Sequence, residues 1–452
     1  MAEIITYREN QIGGCVTLIT AEKDGVTHRI LIDYGSSLDG SDSKDDFKEL
    51  WENTPPEAVF FTHYHGDHVG RLMEIPDGVP IYMGDVARQV MINIQEALTH
   101  VPDKEEAELH EQERALLNDD SRVKTFKWNG KFYEHIELPG FKVEPYSVDH
   151  SAYDAYMFLI EAVDESKPNG KKVILHTGDF RGHGRRGKRT LDVIEYYVHK
   201  NGRKVDVLVT EGTMMSRLSE KVMSETDMQV EAYKYLKQHK YAFLICSSTN
   251  LDSLASFYQA AQSAALFPYK RYLFTYNAYV KEQLRTFSET AGSFTSVYRF
   301  KNVYKLDLDR KLQAKSWTKS MTQKELMKRT GFLAIIKPEQ WCEKYIDAFI
   351  EDYKAGVIDE MPVLIYSMWD GYVNPKHKAR KQEWIDFLAR VKGKGVEVKH
   401  LHTSGHATAK MIKNVIIAVN PQEEIVPIHT ECKEAFMDLD IDDALKNRIR
   451  KN

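Results

Sequence analysis

The sequence predicts a layered α/β fold in which one domain is inserted into another. Three observations carry this reading. Residues 1–225 are built of short β-rich runs, several ending in histidine or an acidic residue; residues 226–392 alternate helix-like and strand-like segments; and residues 393–452 return to runs that carry histidines. We therefore expect a first domain at 1–225 with its remainder at 393–452, and an inserted domain at 226–392.

The elements follow in order. "CVTLIT", "HRILIDYG", "AVFFTH" and "PIYMG" are short apolar, β-branched runs closed by turn residues, which predicts strands. A helical segment spans Val86 to Leu117, with Ala, Gln, Glu and Leu at helical spacing. Strand-like runs resume as "KVEPYSV", "AYMFLIEA", "KVILHTGD" and "VDVLVTEG". After Ser224, helices such as "MQVEAYKYLKQHK" and "LDSLASFYQAAQSA" alternate with strands such as "YAFLICSS", "KRYLFTY" and "PVLIYSMW". That order is the mark of crossover units around a parallel sheet. The section "VEVKHLHTSGHATAKMIKNVIIAVNPQEEIVPIHTE" is expected to return to short strands.

Length and composition bound the function. A chain of 452 residues exceeds one ordinary core, and 42% hydrophobic with 29% charged residues is globular composition, so disorder is not expected. Cys15, Cys246, Cys342 and Cys432 form no C-x-x-C pair, which suits reduced, unpaired thiols. The start "MAEIITYRENQIGG" is no signal peptide, and no stretch reaches the roughly 18 apolar residues of a membrane span, so a cytoplasmic protein without a membrane partner is expected. A formal net charge of -5 does not favour nucleic acid, yet "RGHGRRGKR", Arg181 to Arg189, gathers five cations in a glycine-punctuated loop.

The densest chemical signal is "FFTHYHGDHVG", residues 60–70. Side chains two apart on an extended strand end share a face, so His63 and His65 can aim at one point, with Asp67 and His68 following where the chain turns through Gly66. Imidazole and carboxylate are the ligands of a catalytic zinc. Four such groups exceed what one tetrahedral site with a bound water needs, which points to two metals. His150, His176, Asp179, Glu211 and His429 also stand at the ends of β-like runs, where α/β proteins gather their chemistry.

These residues carry a family resemblance. "THYHGDHVG" resembles the H-x-H-x-D-H motif of metallo-β-lactamase-fold hydrolases, and "DH", "HTGD" and "PIHTE" follow in that superfamily's order. "LHTSGHA" resembles motif B of the β-CASP nucleases, with "TEGT" and "PIHTE" matching motifs A and C; ribonuclease J-type ribonucleases are the most similar in flavour. The resemblance implies a metallo-β-lactamase αββα sandwich with an inserted β-CASP α/β domain. It implies two Zn2+, with Mn2+ as an alternative: His63, His65 and His150 on one, Asp67, His68 and His429 on the other, and Asp179 bridging. Asp67 would also orient a hydroxide bridging the metals, His406 would meet the scissile phosphate as general acid, Glu211 would orient that region, and His176 would be structural.

A substrate class follows from the same resemblance. His429 at motif C accompanies RNA-directed enzymes, so a single-stranded RNA substrate is expected, with exo- or endonucleolytic attack both open. Arg181, Arg185, Arg186, Asn250 and Ser404 are the expected nucleic-acid contacts, and Tyr64, Tyr153 and Tyr156 either stack on bases or line the core. The chain stops at "KNRIRKN", where ribonuclease J-like chains continue into an assembly domain, so an oligomer is allowed but not indicated. It also carries "YSMWDGY" in place of their glycine-rich 5′-phosphate stretch. The alternatives are a thioesterase or lactonase on the same fold and an inactive RNA-binding subunit.

Overall fold

Strand Val207–Glu211 shows how the first domain is layered, because successive side chains on a strand face opposite ways. Val207 and Val209 enter a core with Phe158, Ile160, Ile174 and Val426, whereas Leu208 enters a second core with Leu159, Leu175 and Ile425. The first core lies between two sheets, since Ile19, Ile30, Ile32, Ala58 and Phe60 of another sheet complete it. The second core is closed by helix Ala409–Val419 through Met411, Ile412, Val415 and Ile416. A sheet covered on both faces needs apolar residues on both, which explains why strand Ala155–Val163 is buried at nearly every position.

This computed structural model describes residues 1–451 apart from 39, 44–45, 53, 266–270 and 313–320. The chain divides into two units, Met1–Val222 with Gly405–Asn452, and Met223–Ser404. In the first unit one sheet runs Glu3–Tyr7, Val16–Lys23, Val26–Tyr34, Ala58–Phe60, Ile81–Met83 and Val123–Thr125, antiparallel through the first three strands and parallel after them. The other runs Glu424–Ile428, Val207–Glu211, Lys171–His176, Ala155–Val163, Phe141–Val148 and Ile136–Leu138, with the first three strands parallel. Strands 136 and 424 residues into the chain thus share one sheet, which is how the end of the sequence returns to the start of the site.

Two local expectations change. The helical stretch Val86 to Leu117 is two helices, Asp85–Leu98 and Lys104–Asn118, because Pro102 cannot continue a helix and Asp103 starts a new one by accepting from the amides of Glu105 and Glu106. The last section is not all short strands: Thr408 caps helix Ala409–Val419, its side chain accepting from the Met411 amide.

The second unit is a parallel sheet in the order Val303–Lys305, Tyr272–Thr275, Phe332–Ile335, Tyr241–Cys246, Val363–Ser367 and Val398–His400. Its central strand, Tyr241–Cys246, is buried at every position, as expected of a strand covered on both faces. The expected border at 392 falls short of the observed one. Strand Val398–His400 pairs with Val363–Ser367 through Leu364 and Val398, so the unit continues to Ser404.

Candidate metal centre

The first unit delivers its polar side chains at the ends of its strands. His63 and His65 follow Ala58–Phe60, His150 follows Phe141–Val148, Asp179 follows Lys171–His176, Glu211 ends Val207–Glu211 and His429 follows Glu424–Ile428. Between the sheets these ends converge, because the parallel strands all terminate on one edge. The loop after Ala58–Phe60 is held by its backbone: the amides of Cys15 and Ser36 donate to the carbonyls of Asp67 (2.9 Å) and Gly66 (3.0 Å). Gly35 makes this approach possible, since a Cβ there would stand 1.8 Å from the Asp67 carbonyl oxygen.

Two groups of donors result. One nitrogen each from His63, His65 and His150 lie within 4.8 Å of one another, and His150 Nε2 stands 3.3 Å from His65 Nδ1. Around the second point, Asp67 Oδ2 lies 3.1 Å from His429 Nε2 and 4.0 Å from His68 Nε2, and Asp179 Oδ2 lies 3.9 Å from His429 Nε2 and 3.2 Å from His68 Nε2. His63, His68 and Asp179 also form one group, so the two points adjoin. His63 Nε2, His68 Nε2 and Asp179 Oδ2 are buried without a hydrogen bond, a costly arrangement unless something else satisfies them.

Behind these donors stand residues that the sequence reading missed. Asp33 receives the Thr62 amide at 2.7 Å, the Thr62 hydroxyl at 2.8 Å and His68 Nδ1 at 2.8 Å. Thr62 Oγ1 also meets His63 Nδ1 at 3.1 Å, and Thr213 Oγ1 meets His429 Nδ1 at 2.7 Å. In each case the outer nitrogen is engaged, which turns Nε2 inward. A polar residue closing an apolar run, as in "RILID", was the available signal for Asp33.

Glu211, fully buried, ties His406 to this cluster. Its Oε1 accepts from the amides of Phe180 (3.0 Å) and Ala407 (3.2 Å), while Oε2 stands 3.2 Å from His406 Nδ1. Thr213 Oγ1 lies 3.1 Å from the same nitrogen, and Asp179 Oδ2 lies 3.4 Å from it. His406 is therefore beside the donors yet supported from outside them.

Residues 14–82, which contain the whole of this ligand loop, match the family described as the metallo-β-lactamase superfamily. The first unit carries a metallo-β-lactamase domain. The chain is similar in fold to a protein of unknown function from Enterococcus faecalis V583, at 19% identity with a TM-score of 0.64, covering 96% of both chains. It also matches a subclass B3 metallo-β-lactamase from a soil metagenome library (13% identity, TM-score 0.29, 46% of this chain and 75% of that one). A subclass B3 enzyme of Bradyrhizobium japonicum matches at 15% identity and TM-score 0.27, over 46% of this chain and 76% of that one. No curated protein matches the chain.

Hydrolases of this fold bind metal ions, typically zinc, and the donors of the metallo-β-lactamase domain fit one. Two nitrogens held about 2.0–2.1 Å from one tetrahedral zinc lie about 3.3–3.4 Å apart, and the His65–His150 separation is 3.3 Å. Charge agrees with geometry. Burial, aided by neighbouring imidazoles, holds His63 and His150 well below the usual histidine range and lowers His65 to about 4, leaving neutral rings that can donate a lone pair. At the second point burial is outweighed: His68 and His429 are pushed well up by Cys15 and the carboxylates around them, and Asp179 is held well down by His429 and His68. A dication held there would balance the same carboxylates.

The remaining expected residues divide. Arg181, expected on a solvent-facing basic loop, is fully buried, and its Nε donates to the equally buried Asp149 at 2.9 Å. It braces the loop from within, because a buried guanidinium requires a carboxylate partner. The Arg186 amide donates to the same carboxylate, and the Arg186 guanidinium lies 4.4 Å over the Tyr153 ring; Arg185 is half-buried. Tyr64 and Tyr156 are buried, one accepting the Tyr153 amide and the other donating to Asp154, so neither offers a face to a base. His176 is buried between Thr17 and the Gly178 amide, 3.3 and 3.1 Å away. Asn250 and Ser404 belong to the second unit, where Asn250 caps helix Leu251–Ser263 by accepting from the Ser253 amide. Among the described residues, no helix is long and apolar enough to cross a membrane.

Proposed function

We propose that this chain is a metal-dependent nuclease of the β-CASP type that hydrolyses the phosphodiester bonds of single-stranded RNA. The observation that carries the reading is His406, an imidazole beside the two donor groups and held through Nδ1 by Glu211 and Thr213. When bound, two zinc or manganese ions would supply an acidified water and Lewis-acid stabilisation of the phosphate. His63, His65 and His150 would hold one ion and Asp67, His68 and His429 the other, with Asp179 between them.

The protein's own residues then account for the proton. Burial lowers the His406 pKa, but the Glu211 and Asp179 carboxylates outweigh it and raise it above the ordinary histidine value. Nδ1 is committed to Glu211, so Nε2 is the atom that donates to a departing oxygen. That donation matters for the leaving group: a thiol ionises near pKa 8.5, roughly, and departs unaided, whereas an alkoxide needs a proton. A general acid built into the site thus favours a phosphodiester over a thioester. Arg186, whose guanidinium lies over Tyr153, and Arg185 on the same loop would supply phosphate contacts.

The test is an end-labelled single-stranded RNA bearing a 5′-monophosphate, 5′-triphosphate or 5′-hydroxyl, incubated with the zinc- or manganese-loaded protein. Cleavage that disappears in Asp67→Ala and His406→Ala supports the reading, and the ladder separates exo- from endonucleolytic attack. Intact RNA alongside turnover of a thioester or lactone would replace it with the small-molecule hydrolase.

A further inference from the structure

We propose that Cys15 is a thiolate ligand of the second metal point, alongside Asp67, His68, Asp179 and His429. This rests on the two-metal reading and adds a donor that the motif residues do not contain. Cys15 Sγ and one ring nitrogen each from His68 and His429 lie within 4.8 Å of one another, all three residues buried. His68 Nδ1 is engaged by Asp33 and His429 Nδ1 by Thr213, so the inward Nε2 atoms face this centre. His68 Nε2, on a side chain 1% exposed, makes no hydrogen bond, and Asp179 Oδ2 beside it makes none either.

The backbone holds the thiol there. The Cys15 amide donates to the Asp67 carbonyl at 2.9 Å, and its carbonyl accepts from the Gly35 amide at 3.0 Å. Two glycines with positive φ, Gly13 (92°) and Gly14 (66°), bring the chain into that position immediately before strand Val16–Lys23. The sulfur is thus fixed behind the ligand loop by the hydrogen bond that shapes the loop. On binding, the thiol proton leaves to solvent and the sulfur lone pair takes the metal. A thiolate selects zinc over manganese, which prefers oxygen donors.

Cobalt(II) reads the sulfur directly, without activity. Titrating the metal-stripped full chain with Co2+ is expected to give visible d–d bands and a near-ultraviolet thiolate-to-cobalt charge-transfer band. The latter is lost in Cys15→Ser and retained in Cys432→Ser. Cobalt binding without that band, or with a band that survives Cys15→Ser, overturns the thiolate ligand and leaves the metal centre standing; no cobalt binding overturns both. Zinc-edge X-ray absorption on the unaltered protein needs no variant: a sulfur scatterer at about 2.3 Å supports the assignment, and nitrogen and oxygen alone refute it.

Discussion

Asp33→Asn isolates the residue that aims His68. Asp33 has φ 59°, a left-handed conformation that asparagine tolerates nearly as well as aspartate, so the backbone is undisturbed. Three donors converge on its carboxylate: the Thr62 amide on Oδ1, and the Thr62 hydroxyl and His68 Nδ1 on Oδ2, each at 2.7–2.8 Å. If the amide oxygen keeps the Thr62 amide, the new NH2 faces the other two. The hydroxyl can rotate and accept. The imidazole cannot, unless its proton moves to Nε2, which is the nitrogen 3.2 Å from Asp179 that metal would use.

Losing an outer hydrogen bond of this kind lowers metal affinity about 10- to 100-fold, or about 1.4–2.7 kcal/mol. Folding of the metal-free protein should lose no more than the roughly 1–3 kcal/mol of one imperfectly satisfied buried group. Competition against a chromophoric chelator measures the first, and urea unfolding of the stripped protein the second. Unchanged zinc affinity in a folded Asp33→Asn variant would refute the orientation argument, since the tautomer would then be set elsewhere.

Four further outcomes are expected. His406→Ala should lower RNA hydrolysis by about 10²- to 10⁴-fold while the bound metal, measured by mass spectrometry, stays the same. Arg181→Met should destabilise the first unit by about 3–5 kcal/mol by stranding Asp149, and adding Asp149→Leu should restore part of it; denaturant midpoints decide. Gly178→Ala should cause a large loss of thermal stability, because φ is 54° and the new methyl would meet Thr62 Cβ and the Tyr156 carbonyl at 2.8 Å. Chelation should lower the unfolding temperature, and acidification should release metal, because the imidazoles and carboxylates bind it only without their protons.

Much of the candidate site was visible as residue type and position. His63, His65, Asp67 and His68 stand out because such side chains are rarely crowded by chance, and His150, Asp179, Glu211 and His429 mark the ends of apolar runs. Asp33 had only the weak signal of a polar residue closing an apolar run, and the roles of Thr62, Thr213 and Cys15 were not visible, because a single polar residue has no period and its partner lies far along the chain: Thr213 and His429 are 216 residues apart. The charge run misled for the same reason. Five cations in nine residues read as a surface, yet Arg181 is neutralised in the interior by Asp149, 32 residues earlier.

By itself the sequence determined the local alternation of strands and helices, the interruption of one domain by another and the supply of metal donors, all of which depend on neighbours within a few residues. Only the tertiary structure decided which donors meet, which nitrogen of each imidazole faces inward and which cation is buried. Those outcomes depend on sheet order, which sets Glu424–Ile428 beside Val207–Glu211 and so brings His429 to Asp67, 362 residues away in the chain. Strand pairing over such separations is fixed by the shared core between the sheets, and no local pattern records it.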